Sequence, residues 1–112
     1  MKYNLRSLYL CVDEMERALN FYEDFFEMPP LIKDDIFAIG GFRLGLFAYK
    51  MMGEEHTYGS NCLPSIEVES LELLNQKLAG LELCFPLTKI KDNWVAEFVD
   101  SEGNHIEMTA PV

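Results

Sequence analysis

Residues 94–108 read W-V-A-E-F-V-D-S-E-G-N-H-I-E-M, and this stretch predicts a β-hairpin that carries an inward carboxylate. Its first half is rich in strand-forming valine and phenylalanine, the run D-S-E-G-N consists of turn residues, and Gly103 can adopt a positive φ. Strand alternation after the turn places His105, Glu107 and Thr109 on one face. Glu107 is therefore expected either on a solvated strand face or in the wall of a groove.

Length and composition indicate one folded domain, residues 1–112. Hydrophobic residues make up 49% and aromatic residues 12% of the chain, which excludes a disordered protein. No apolar run approaches the roughly 20 residues that a membrane-spanning helix needs. Residues 1–6 show neither an apolar signal region nor a cleavage site, so we expect a cytoplasmic protein.

The three cysteines, Cys11, Cys62 and Cys84, are an odd number without C-x-x-C spacing. Neither a disulfide framework nor a zinc knuckle is indicated, and we expect free thiols.

The chain is strongly acidic, with 19 acidic and 9 basic residues and a net charge of −10. Such a charge repels nucleic acid and anionic membranes, so neither is an expected partner, and it attracts cationic ligands. The alternative is that the acidic charge only keeps the protein soluble.

Hydrophobic periodicity predicts the same order of elements, β-α-β-β-β, in each half of the chain. In the first half, strand 6–12 is followed by an amphipathic helix that Asp13 caps and Pro29-Pro30 ends, and then by strands 31–32, 36–39 and 42–49. Residues 51–61 show no periodicity and form a loop. In the second half, strand 63–69 precedes a helix between Ser70 and Gly80, and strands 82–89, 94–99 and 105–109 follow.

Three motifs carry a resemblance to a known superfamily: L-C-V-D at 10–13 followed by A-L-N-F-Y-E-D at 18–24, G-F-R-L-G-L at 41–46, and F-V-D-S-E-G-N-H-I-E at 98–107. With these motifs the chain resembles the vicinal oxygen chelate superfamily, which includes glyoxalase I, extradiol dioxygenases and bleomycin resistance proteins. The resemblance implies an α+β fold in which two βαβββ modules form curved mixed sheets around a groove. Module one would span about 1–50 and module two about 62–112, joined by loop 51–61, usually within a homodimer.

In metalloenzymes of this superfamily, the first and last strands of each module supply the metal ligands. The resemblance places these positions at Ser7, Phe47 (Leu46 if the register shifts by one), Leu63 and Glu107, of which only Glu107 is a ligand type. A divalent cation needs several converging donors, so we expect no metal and no cofactor. The alternative is a divalent metal ion held in an unusual way, with His56 or His105 as a replacement ligand.

Strand alternation and the resemblance together predict a ligand-binding groove that is apolar, aromatic and acidic. Its predicted lining residues are Ser7, Tyr9, Phe47, Leu63, Ser65, Glu67, Trp94, His105 and Glu107. Grooves of this kind bind small organic molecules, and aromatic faces near carboxylates favour cations. We expect drug sequestration of the bleomycin-resistance type, without catalysis. The alternatives are a metal-dependent or Glu107-dependent lyase, isomerase or dioxygenase of the same superfamily, and an interaction module with a vestigial groove.

Overall fold

The structure is a computed structural model, and it describes residues 2–3, 5–31, 35–53, 55 and 62–112. The chain forms two compact units, Met1–Thr57 and Tyr58–Val112, and each contains a small sheet and an α-helix. The predicted α+β class is confirmed. Among the described residues, no helix is long and apolar enough to cross a membrane.

The first unit is built on a sheet with the strand order β1-β3-β2, in which β1 runs parallel and β2 antiparallel to β3. Its elements are β1 (Ser7–Val12), α1 (Met15–Phe26), β2 (Ile36–Ile39) and β3 (Phe42–Ala48), followed by a 3₁₀ turn (Tyr49–Met52). The strand predicted at 31–32 is not seen at Leu31, which forms a bend, and residues 32–34 lie outside the described part.

Helix α1 follows from the helical spacing of its apolar residues, which places Ala18, Tyr22 and Phe25 in the core. The rings of Tyr22 and Phe26 lie 6.3 and 5.5 Å from the ring of Phe37 on β2, measured between centroids. Aromatic contacts therefore fix the helix on this sheet.

The start of α1 differs from the prediction, because Glu14 and not Asp13 occupies the N-cap position. The Asp13 carboxylate instead forms an ion pair with Lys50 and lies 3.8 Å from the Arg17 guanidinium. Hydrogen bonding to Asp13, and its negative charge, raise the pKa of Lys50 above its ordinary value.

The second unit shows the predicted βαβββ order: β4 (Ser65–Glu67), α2 (Leu71–Leu78), β5 (Glu82–Ile90), β6 (Asn93–Val99) and β7 (His105–Pro111). The strand order is β4-β7-β6-β5, with β4 parallel to β7 and the other pairs antiparallel. Ser70 caps α2 as predicted, since its hydroxyl accepts a hydrogen bond of 3.2 Å from the backbone N–H of Leu73.

The turn between β6 and β7 is held by the buried Asp100. Its carboxylate accepts hydrogen bonds of 2.8 Å from the backbone N–H groups of Glu102 and Asn104, and one of 3.2 Å from Asn104 Nδ2. Gly103 adopts the predicted positive φ, 92°. The turn thereby sets the hairpin register, which begins with Val99 opposite His105.

The two faces of this sheet differ in chemistry. One face packs against α2 and is fully apolar at its centre, with buried Ala96, Phe98, Ile106, Met108 and Ala110 beside Leu74 and Leu78 of the helix. We call this side the helix face. Because strand side chains alternate, the odd-numbered residues of β6 and β7 project from the opposite side.

Candidate functional site

The side of the second sheet that faces away from α2 carries most of the predicted site residues of this unit, and we call it the carboxylate face. The register pairs Ser65 and Glu97 each with Glu107, Glu67 with Thr109, Val99 with His105, and Glu82 with Val99. Side chains paired across strands share a side of the sheet. The polar residues of this face therefore include Ser65, Glu67, Glu82, Thr88, Glu97, His105, Glu107 and Thr109.

Two carboxylates oppose each other at the centre of the carboxylate face. Glu97 and Glu107 are directly paired across β6 and β7, a position in which Cβ atoms lie about 4.5–5.5 Å apart. Both residues are half-buried, and the Ser65 hydroxyl donates a hydrogen bond of 2.6 Å to Glu107 Oε1. Like charges directly opposite destabilise a sheet, so this centre favours a bound cation.

A second feature of this face is the convergence of Cys84, Glu97 and His105. One potential ligand atom from each of them lies within 4.8 Å of the others, and Cys84 Sγ is 3.9 Å from Glu97 Oε1. Cys84 is exposed and the other two are half-buried.

An irregularity in β5 positions Cys84. Leu83 pairs with Phe98 whereas Phe85 pairs with Glu97, so Cys84 is the extra residue of a β-bulge opposite Glu97. Although Cys84 is exposed, partial desolvation of its thiol raises the pKa of that group, and the nearby charge of Glu97 raises it further. Cys84 is therefore poorly suited to act as a free nucleophile, which must be a thiolate.

The structure brings together only some of the predicted site residues of this unit. Ser65, Glu67, His105 and Glu107 share the carboxylate face, and Leu63 lies two residues before Ser65, outside β4. Trp94 pairs with Ala110 and so lies on the helix face, the opposite side. The reason is the parity of the hairpin, since Trp94 alternates in phase with buried Ala96 and Phe98.

The predicted site residues of the first unit also share a face. Ser7 pairs with Arg43, Tyr9 with Gly45, and Cys11 with Phe47 across the parallel strands β1 and β3. Tyr9 is 52% exposed, and its ring lies against the backbone of Gly45 in the space that a Cβ atom at position 45 would occupy. His56 lies outside the described residues.

The sequence analysis missed two residues of the site, Glu97 and Cys84. Glu97 could have been predicted from the sequence, because a hairpin centred on D-S-E-G-N pairs residue 97 with residue 107. Cys84 could not have been predicted, because its contact with Glu97 depends on a β-bulge that leaves no signal in the hydrophobic alternation.

The four metal positions that the resemblance implies do not fit a metal ion. Phe47 and Leu63 have no donor atom, Ser7 offers only a hydroxyl, and Glu107 accepts the hydrogen bond from Ser65. A hard divalent cation needs several oxygen or imidazole donors at one point, and this set supplies one carboxylate.

No protein-family model matches the sequence, and no curated protein matches it either. Solved structures do match. A glyoxalase/bleomycin resistance protein from Albidiferax ferrireducens has a TM-score of 0.81 at 17% identity, covering 96% of this chain and 98% of that one. A glyoxalase/bleomycin resistance protein/dioxygenase family enzyme from Burkholderia phytofirmans has a TM-score of 0.78 at 16% identity, covering 98% and 100%. A glyoxalase-related enzyme from Fulvimarina pelagi has a TM-score of 0.75 at 16% identity, covering 96% and 87%.

These likenesses establish the fold class. The chain has the fold of these glyoxalase/bleomycin resistance protein structures, which is the fold that the resemblance implied.

Proposed function

We propose that this protein binds a small cationic or neutral aromatic molecule, as a drug-sequestering member of the bleomycin-resistance type would, and that it does so without catalysis. The observation that carries the proposal is the facing pair Glu97 and Glu107 at the centre of the carboxylate face. Val95 and Val99 project from the same face and add apolar contact area beside the charges.

The charge of the face determines the sign of the ligand. Within residues 62–112, the lysines lie elsewhere: Lys77 on α2, Lys89 on the helix face opposite Trp94, and Lys91 in the turn before β6. An anion beside these carboxylates is repelled, because no lysine of this unit lies on their face to neutralise them. A cation gains charge-assisted hydrogen bonds worth about 1.5–3 kcal/mol each.

The enzymatic alternative, with Glu107 as a base on a carbon acid, is less well supported. A carbanion needs an electrophile that stabilises its charge, usually a metal ion, arginine or lysine. The described residues of the carboxylate face include no lysine or arginine, and of the four metal positions implied by the resemblance only Glu107 carries a carboxylate or imidazole donor.

We further propose that the protein is a cytoplasmic homodimer. Cys11, Cys62 and Cys84 form no disulfide among the described residues, which suits a reducing compartment. Large apolar side chains of the first unit are exposed, with Tyr3 at 87% and Leu5 and Met51 at 84%, and burying them in a subunit contact is favourable.

Thermal-shift measurements with matched cationic and anionic aromatic compounds test the ligand. We expect cations to stabilise the protein selectively. Glu107→Gln should weaken their binding about tenfold, because one charge-assisted contact of about 1.5 kcal/mol is lost. Glu72→Gln, which removes the same charge from the exposed surface of α2, is the matched control and should leave the affinity unchanged. Selective stabilisation by anions such as phosphonates would contradict the proposal.

A further inference from the structure

We propose that Cys84, Glu97 and His105 form a binding site for a divalent transition metal ion, with zinc as the ion that suits the donors best. The site uses none of the four positions that the superfamily resemblance implies. It goes beyond the proposed ligand-binding function and is argued from its own donors, although it shares Glu97 with the carboxylate pair on which that function rests. It also replaces the sequence-based expectation of a protein without a metal.

The spacing of the donors is close to that of a metal site. Zinc binds sulfur at about 2.3 Å and nitrogen or oxygen at about 2.0–2.2 Å, so tetrahedral ligand atoms lie about 3.4–3.6 Å apart. Cys84 Sγ and Glu97 Oε1 are already 3.9 Å apart, and the most distant donor pair is within 4.8 Å. Side-chain rotations that bring the atoms together by about 1 Å complete the geometry.

The types of donor select the ion. One thiolate, one imidazole and one carboxylate are the ligands that zinc takes from proteins, whereas magnesium and calcium prefer oxygen donors alone. On binding, the Cys84 thiol loses its proton to the solvent and His105 binds as the neutral imidazole. The thiolate and the carboxylate then carry two negative charges, which the divalent ion balances.

The backbone framework keeps the donors near one another. They come from three hydrogen-bonded strands, β5, β6 and β7, and the side chains of the outer two converge over Glu97 on the central strand. The bulge at Cys84 and the Asp100 turn before His105 fix the two outer positions. Donors on strands are better preorganised than donors on loops, so little ordering remains to be done when the ion binds.

Three protein ligands leave at least one coordination position open in a tetrahedral site. Cys84 is exposed and its two partners are half-buried, so solvent can reach the ion. A water molecule or a small Lewis base is therefore the expected fourth ligand.

Titration of the chelator-treated 112-residue chain with zinc tests the site, with isothermal calorimetry as the readout. We expect one ion per chain. Cys84→Ser, Glu97→Gln and His105→Gln should each weaken binding by at least the ~10–100-fold that loss of a supporting contact costs. Cys62→Ser is the matched thiol control and should bind zinc like the unmodified protein, because Cys62 is exposed and belongs to no donor cluster among the described residues.

Two measurements on the unmodified protein keep the test independent of how the variants fold. Cobalt(II) should give a thiolate-to-metal charge-transfer band, and zinc should protect Cys84 but not Cys62 from alkylation, as read by peptide mass spectrometry. Glu107→Gln separates this site from the proposed ligand site, because it should weaken organic cations while affecting zinc less than the ligand substitutions do. Zinc binding that persists in all three ligand variants, or protection of Cys62 instead of Cys84, would overturn the proposal.

Discussion

At the scale of single residues, the informative feature is a charge placed where the fold alone does not favour it. Glu97 is half-buried, faces Glu107 across the hairpin and lies beside the Cys84 thiol. Cross-strand pairs of like charge are unfavourable, and a neutral residue would serve the sheet better. A bound cation offsets this repulsion, which explains why a carboxylate at this position fits a binding role.

This argument predicts that Glu97→Gln stabilises the ligand-free, metal-free protein while it weakens binding. We expect the free energy of unfolding to increase by about 0.2–1 kcal/mol, the range measured for cross-strand pairs. Urea denaturation at neutral pH and low salt measures the change. Glu55→Gln, at an exposed position outside the helices and strands, serves as the control for removing one charge from a chain of −10. A loss of stability in Glu97→Gln larger than in the control would mean that Glu97 has a structural role instead.

At the scale of elements, the hairpin of β6 and β7 was predictable because two independent signals agree on it. Turn residues stand between two alternating runs, and Gly103 is located where the chain needs a positive φ. Helix α2 was equally predictable from the sequence, since Ser70 provides a side-chain cap and leucines recur at helical spacing.

The other site residues differ in how far the sequence could have placed them. Trp94 was assigned to the groove, but the register that pairs residue 97 with residue 107 also pairs Trp94 with Ala110, so hairpin parity already puts Trp94 on the helix face. Cys84 meets Glu97 through irregularities in β5, where the register shifts between Leu83 and Phe85 and again before Thr88. Such register shifts arise from sheet geometry, and the hydrophobic pattern of the sequence does not predict them.

The turn that precedes His105 depends on Asp100. Replacing Asp100 with alanine leaves backbone N–H groups of Glu102 and Asn104 without their acceptor, and an unsatisfied buried donor costs about 1–3 kcal/mol. We expect Asp100→Ala to lower the free energy of unfolding by about 2–4 kcal/mol in urea denaturation. Asp100→Asn, which keeps one carbonyl oxygen, should lose less. Equal losses in the two variants would show that the negative charge and not the acceptor geometry holds the turn.

At the scale of the whole molecule, the fold and the function rest on different information. Solved structures at 16–17% identity share the fold over nearly the whole chain, but a shared fold carries no chemistry by itself. The polar groups that the structure brings together in the second unit are Glu97, Glu107, Cys84 and His105. The function that we propose rests on these groups, because Phe47 and Leu63 have no donor at the positions where the resemblance implies metal ligands.

The charge of the whole molecule also bears on its assembly. We predict a homodimer, on the basis of the fold and of exposed apolar side chains such as Tyr3, Leu5 and Met51. Each chain carries a net charge of −10, so two chains repel each other at long range. Salt screens this repulsion, with a Debye length that falls from about 30 Å at 0.01 M to about 10 Å at 0.1 M ionic strength.

The dimer should therefore become tighter as ionic strength rises, because screening weakens the repulsion and leaves the apolar contact intact. Light scattering over a dilution series measures this at low and at moderate salt. We expect about twice the chain mass of 12.9 kDa at micromolar concentration in moderate salt, and partial dissociation in low salt.

Leu5→Glu, which adds a charge to an exposed apolar position, should shift the equilibrium toward the monomer, and Glu72→Gln should favour the dimer slightly by reducing the net charge. A single-chain mass at every salt concentration would exclude the dimer, and a dimer that weakens with salt would show that ion pairs and not apolar contacts hold it.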